Sequence, residues 1–276
     1  PFPSADQETK FLAEYYEHLA EEDRQAYPGE ALADRAREHW AVAEGRETGT
    51  ANIAVVDEGG RSVVYIVTDD MPFLVDSVSA ELVRQGAPIH LVVHPMFVVT
   101  RRKSDGGLVA VQRVPAQWGM TSGDTATMPL LSALVADGDN ATHIESWIAI
   151  ETNRASAASK TELVDGVRRV LGDVRAAVED WQAMRSKALE IAEGLGSVAG
   201  AEDITDLVPT QELLRWLDAG NFTFLGYREY DLVQTENGMG LRAVPGTGLG
   251  ILRHAQPGRD SVRKLSSQVA RRAQDP

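Results

Sequence analysis

Four groups of residues in this chain are of the types, at the spacings, that carry chemistry. Asp69 and Asp70 are adjacent carboxylates. Neighbouring carboxylates push their pKa values apart, as an acid–base pair requires. They also stand just before Met71-Pro72, where the chain enters a helix, and there a carboxylate satisfies orphan N–H groups and the positive end of the helix dipole. Contact with a bound effector is a third role for them. His90 and His94, four apart on an extended segment, share a face at a separation of about 13 Å, from ~3.3 Å per residue. One metal ion does not bridge that distance without a bulge near Pro95, so polar or interface histidines fit the spacing better. His143 and Glu145 share a face about 7 Å apart, with no third ligand in view. Gly246-Thr-Gly248-Leu-Gly250 is glycine-rich, but a dinucleotide loop needs a longer spacing and a following helix, and Pro257 sits where that helix would run. A turn is the expectation there.

The elements around the acidic pair are legible. Ser62–Thr68 is rich in β-branched and aromatic residues and reads as a strand. Pro72 stops it and pre-sets φ for a helix start. Leu74, Val75, Val78, Leu82 and Val83 then recur at three- and four-residue steps, one buried face of a helix over 72–85. Gly86 ends that helix, and Ile89–His94 returns as the start of a long strand over 88–102. Strand, helix and strand make half of a split βαβ unit, the building block of ferredoxin-like domains.

Upstream, residues 5–21 form an amphipathic helix, and Pro28 opens a second with Leu32, Ala36, His39, Trp40 and Ala43 inward. Asn52–Val56 and Ser62–Thr68 flank Gly59-Gly60 as a hairpin. Ser104-Asp-Gly-Gly107 turns the chain into a strand at Leu108–Val114. Residues 115–140 read as a loop-rich insertion with one apolar patch, Met128 to Val135. His143–Glu151 is apolar on both faces and is expected to be a central strand.

Periodicity from Ser159 to Ile191 predicts a long helix, or two, since Gly166 and Gly172 weaken it by roughly 1 kcal/mol each. Asp206–Pro209 opens a further helix with Leu213, Leu214 and Leu217 inward. Asn221–Leu232 is an aromatic strand expected to pack in a core, with Leu241–Val244 as its partner. The domain expectation is a helical hairpin over 1–48, an α+β domain over 49–196 and the start of a second α+β unit over 197–276. The fold class is α+β: an antiparallel ferredoxin-like sheet with helices on one face.

Bulk properties narrow the function classes. A net charge of −14 opposes nucleic acid and anionic membrane surfaces. Arg253, Arg259, Arg263, Lys264, Arg271 and Arg272 are instead read as a solvated, flexible basic tail. The chain has no cysteine, which removes disulfides and thiolate chemistry and fits a reducing compartment. No apolar run reaches the ~18 residues of a membrane span. The chain opens on Pro1 and reads as a stretch of a longer polypeptide.

The run Val64-Tyr-Ile-Val-Thr-Asp-Asp-Met-Pro-Phe-Leu-Val-Asp-Ser-Val78, with Ala80-Glu-Leu-Val-Arg-Gln-Gly86, resembles the N-terminal region of the bacterial large NAD-specific glutamate dehydrogenases. His94-Pro-Met-Phe97, Glu145-Ser-Trp-Ile148, Asp173–Trp181 and Asn221–Tyr227 support the resemblance, in the same order along the chain. It implies an ACT-type regulatory segment of a cytoplasmic, homotetrameric enzyme of amino-acid metabolism. That enzyme converts glutamate, NAD and water to 2-oxoglutarate, ammonium and NADH. By the same resemblance NAD and the catalytic residues belong to the parent enzyme, and this segment carries no catalytic residue, cofactor or metal. Asp69, Asp70, Met71, Pro72, Phe73, Asp76, His90 and His94 are its effector or interface candidates, and the partners are other subunits and an amino-acid effector. ACT domains that bind effectors carry Gly where this chain has Phe73. Phe73 therefore favours the alternative of a structural subunit-contact module without an effector, the phenyl ring acting as an apolar anchor in the space Gly leaves open.

Overall fold

The computed structural model describes residues 2, 4–114, 136–197, 207–235, 238–253 and 263–264. Most of the 115–140 insertion, including Met128–Val135, and Pro257, Arg259, Arg271 and Arg272 lie outside them. The chain divides into two compact units, 1–171 and 172–276.

The first unit opens with helices α1 (Ala5–Tyr15), α2 (Glu21–Gln25) and α3 (Gly29–Ala43). Ser4 caps α1 by accepting from the Gln7 N–H. The helix stops at Tyr15 instead of running to 21. Tyr15 and Tyr16 are both buried, and consecutive residues lie ~100° apart on a helix, so one helical face does not bury both. As the pattern predicts, α3 starts after Pro28 and buries Leu32, Ala36, His39, Trp40 and Ala43.

Strands β1 (Asn52–Glu58) and β2 (Arg61–Asp69) form the hairpin, with Gly59 and Gly60 at positive φ in its turn. Helix α4 (Leu74–Arg84) follows, then β3 (Ile89–Val93), β4 (Met96–Arg102), β5 (Leu108–Arg113), β6 (Ala136–Asp137) and β7 (Asn140–Asn153). The long strand expected over 88–102 is interrupted at Pro95, which has no N–H to donate, while its carbonyl accepts from the Trp147 N–H. Register carries through the break, since Val93 faces Ala149 and Met96 faces Ser146.

The sheet is antiparallel, ordered β1-β2-β7-β4-β5, with β3 and β6 also on β7. The split βαβ is realised: β7 lies between the two strands that α4 connects. It is central, as its two apolar faces predict. One face carries Val63, Tyr65, Val67, Phe97, Val99 and Trp147, which pack with Phe11, Tyr15 and Trp40 of the N-terminal helices. The other buries Val64, Ile66, Ile148 and Ile150 beneath α4 and the first part of α5 (Ala157–Glu179). Gly166 answers to this packing, because a Cβ there would lie 2.0 Å from Gln85 Nε2 and 2.4 Å from Glu81 Oε1. The fold is thus α+β and ferredoxin-like, with the N-terminal helices closing the second face of the sheet.

In the second unit α6 (Trp181–Gly194) follows a break at Asp180, not at either glycine. Helix α7 (Leu207–Trp216) precedes β8 (Gly226–Tyr227), β9 (Tyr230–Thr235), β10 (Gly238–Ala243), β11 (Leu249–Gly250) and β12 (Arg263–Lys264). Pairing of the 241–244 segment with the aromatic stretch appears as β10 on β9. Two orientation expectations fail. Leu213 is exposed, and the 221–232 segment is two short strands with Phe222, Leu225 and Tyr230 exposed, not a continuous core strand.

Candidate functional site: the corner between β2 and α4

Strand β2 ends at Asp69 and α4 begins at Leu74, and the four residues between are half of the eight sequence candidates. Neither acid caps the helix, contrary to the local rule. Asp69 Oδ1 accepts from Arg46 Nη2 at 2.8 Å and its Oδ2 from the Gly49 N–H at 3.0 Å. Asp70 Oδ1 accepts from the Ser146 hydroxyl at 2.5 Å. The N-cap position is taken by Phe73, whose side chain makes no capping bond. Asp76, exposed in the first turn, is the acid that meets the helix dipole. With their carboxylates turned to separate partners, Asp69 and Asp70 do not form an acid–base pair with each other.

The corner instead joins two candidates that are far apart in sequence. Ser146 spends its proton on Asp70, and its oxygen accepts from His94 Nε2 at 2.9 Å, which fixes that tautomer. Burial pushes the Asp70 carboxyl up, against bonds from Ser146 and the Met71 N–H. Burial, with His18 nearby, pushes His94 down to about 4. Neutral imidazole, hydroxyl and carboxylate form a closed relay that ties together β7, the link between β3 and β4, and the corner. Ser146 does not have the serine–histidine arrangement of an activated nucleophile, since its hydrogen goes to the Asp70 carboxylate and the imidazole donates to its oxygen. His90 is elsewhere, bonded to Asn153 Oδ1 at 2.8 Å beside a bulge, and His143 is bonded to Thr48 at 3.3 Å.

Beneath the corner is a charge cluster that spacing did not reveal. Glu145, fully buried, takes two bonds from Arg101, at 2.6 and 2.9 Å, and two from Arg46, from Nη2 at 2.6 Å and from Nε at 3.3 Å. Trp147 Nε1 adds a fifth at 3.2 Å. Burial opposes the Glu145 charge, but the two guanidiniums outweigh it and hold the carboxyl below its ordinary range. Asp69 balances the second arginine, so the cluster is neutral in sum. A like cluster joins Arg35 to Glu151 at 2.6 Å and to Glu58 at 2.9 Å, with Tyr27 on Glu151 and Tyr65 on Glu58. A glutamate inside an apolar central strand signals a buried cation, but not which arginine supplies it.

Phe73 stands out at the rim. It is the one non-glycine residue with positive φ, 68°, among the described residues, and it is 44% exposed. A left-handed conformation costs an L-residue about 1–2 kcal/mol. The ring does not fill the Gly space inward, as expected from sequence, but stands in solvent. Met71 and Pro72 beside it are half-buried. Gly246 and Gly250, at φ 78° and 58°, make a turn in which the Gly250 N–H donates to Asp180 at 2.8 Å. Among the described residues no group of three or more His, Asp or Glu is placed to hold a metal ion, and no helix is long and apolar enough to cross a membrane.

Residues 11–167 match the family described as glutamate dehydrogenase, ACT1 domain. The chain is 33% identical over 196 residues to an NAD-specific glutamate dehydrogenase of Halomonas elongata, covering 70% of this chain and 11% of that protein. A Pseudomonas aeruginosa protein of the same description is 29% identical over 178 residues, 64% of this chain and 10% of its own length. One from Mycobacterium tuberculosis is 27% identical over 221 residues, 78% and 12%. The chain therefore spans about a tenth of the length of these relatives.

Proposed function

The chain belongs to the glutamate dehydrogenase ACT1-domain family, and from that premise we propose that it is a non-catalytic regulatory and assembly segment of a large NAD-dependent glutamate dehydrogenase. The observation that carries this reading is the family match over residues 11–167, the stretch that builds the sheet and the helices on both its faces. In the parent enzyme glutamate, NAD and water become 2-oxoglutarate, ammonium and NADH, with the chemistry outside this segment. The parent is a cytoplasmic homotetramer, residues 49–196 are its ACT-like unit, and 197–276 begin a second.

The corner supports a contact role. Its ionisable groups are held by internal bonds, whereas Phe73 is left strained and outward. A strained residue persists when the surroundings or a function hold it. An exposed aromatic at such a point suits packing against another subunit. Sheet edges and this corner together would tie subunit arrangement to the distant catalytic core as a shift between assembled states.

The test is turnover. The purified chain, given glutamate and NAD, produces no NADH, while removal of residues 1–276 from the parent enzyme alters its assembly or its response to amino acids. NADH formation by the chain alone overturns the reading.

A further inference from the structure

Helix α7 has two faces, and the second unit uses one of them. Leu207, Gln211 and Leu214 are its half-buried positions, and Gln211 Nε2 donates to the Ala192 carbonyl of α6 at 2.8 Å. Just past the helix Asp218 accepts from Arg185 of α6 at 2.7 Å, so α7 is fastened along that side. Away from it, Pro209, Leu213 and Trp216 recur at steps of four and three, all exposed. Asn221 donates to the Trp216 carbonyl at 2.9 Å and closes the turn that leads to Phe222.

Val208, Leu213, Trp216, Phe222 and Leu225 are each more than half exposed. Their bare area is on the order of 500 Å² per copy, and a pair of copies buries roughly 1,000 Å², the size at which specific interfaces begin. Glu212 and Arg215 are three apart, so they share one flank of the stripe. Both are exposed, and neither has an ion pair among the described residues. One charge of each sign beside an apolar stripe complements itself when the helix is turned end for end. A two-fold axis crossing α7 at the level of Leu213 and Leu214 brings Glu212 of each copy opposite Arg215 of the other. The same axis sets Leu213 beside Leu213 and Trp216 over the first turn of the other helix.

We propose that this face of α7 docks a second copy of the chain, the two helices antiparallel across a two-fold axis. The surface belongs to the second unit and not to the corner before α4. It is tested on this chain alone, so its failure leaves the regulatory reading standing.

Sedimentation velocity of the whole chain is the test. A net charge of −14 on each copy opposes pairing at low salt, so the measurement is made at about 0.15 M salt, where the screening length is about 8 Å. Between about 1 and 100 μM the mass moves from 29.9 kDa toward twice that value. Leu213→Glu puts two carboxylates together at the axis and weakens the pair by about tenfold or more. The position is exposed, so the unfolding midpoint stays level. Glu212→Arg and Arg215→Glu each weaken self-association, the first leaving only cations on that flank and the second only anions. Mixed in equal amounts, these two variants pair about as tightly as the unaltered chain. A chain that stays monomeric at about 100 μM, a dimer indifferent to Leu213→Glu, or a mixture of the two charge variants no better paired than either alone each overturns the proposal.

Discussion

At the scale of residues, the fold rests on buried groups whose protonation is decided by partners far along the chain. Glu145 bridges two buried guanidiniums, and Gln in its place leaves Asp69 as the one carboxylate of that cluster against both. Removing one partner of a buried pair costs about 3–5 kcal/mol. Glu145→Gln is therefore expected to lower the denaturant midpoint by an amount in that range at constant m-value. A loss below about 1 kcal/mol, typical of surface pairs, contradicts the role given to the cluster.

The histidines make a second prediction. Burial lowers His39 to about 3 and His94 to about 4, so the unfolded chain takes up protons first as pH falls. Their contribution is complete above the ordinary histidine value, near 6.5. It is lost as pH drops toward 4 and 3, at up to about 1.4 kcal/mol per pH unit for each. Asp70 works in the opposite sense: its raised pKa costs stability above the ordinary carboxylate range, and that cost is relieved on acidification. Histidine loss begins at higher pH, so the unfolding midpoint should fall between about pH 6.5 and pH 5. A level midpoint there sinks this assignment.

At the scale of elements, the turns decide what the strands can hold. Gly106, at φ 67° in the turn between β4 and β5, is a case. A Cβ there would lie 2.5 Å from the Arg46 carbonyl oxygen, and the Gly106 carbonyl accepts from Arg101 at 2.7 Å. Gly106→Ala combines left-handed strain with a backbone clash and should cost about 2 kcal/mol or more, measured by thermal unfolding. Gly59→Ala, where a Cβ would meet nothing within 4 Å, should cost less.

Much of this level was legible in the sequence. The β-branched run of β2, the Gly-Gly and Asp-Gly-Gly turns, the Leu74, Val78 and Leu82 stripe of α4 and the two-sided character of β7 each obey a local rule and are found, whereas Val83, expected on the same stripe, is exposed. What was not legible depends on distant partners. The carboxylates of Asp69 and Asp70 follow Arg46 and Ser146 instead of capping α4. The long helix breaks at Asp180, whose carboxylate holds the Gly250 N–H and Arg253, and not at the glycines that lower helix propensity. Leu213 and Phe222 have the periodicity of core residues but are exposed in this chain. No local pattern distinguishes an apolar residue turned to its own core from one turned outward.

At the scale of the whole molecule, the ferredoxin-like sheet and the internally satisfied charges support the proposed contact role, in which bond-making belongs to the rest of a longer enzyme. Phe73 concentrates that claim in one residue. Phe73→Gly relieves the left-handed strain of about 1–2 kcal/mol, and the added freedom of glycine in the unfolded chain returns roughly 0.5–1 kcal/mol of it. The chain's own stability should therefore stay within about 1 kcal/mol, while the outward ring is gone. Sedimentation of the parent dehydrogenase carrying Phe73→Gly is the most direct measurement. The expected result is a shift toward smaller assemblies with the isolated chain as stable as before; an unchanged assembly with unchanged response to glutamate contradicts the account.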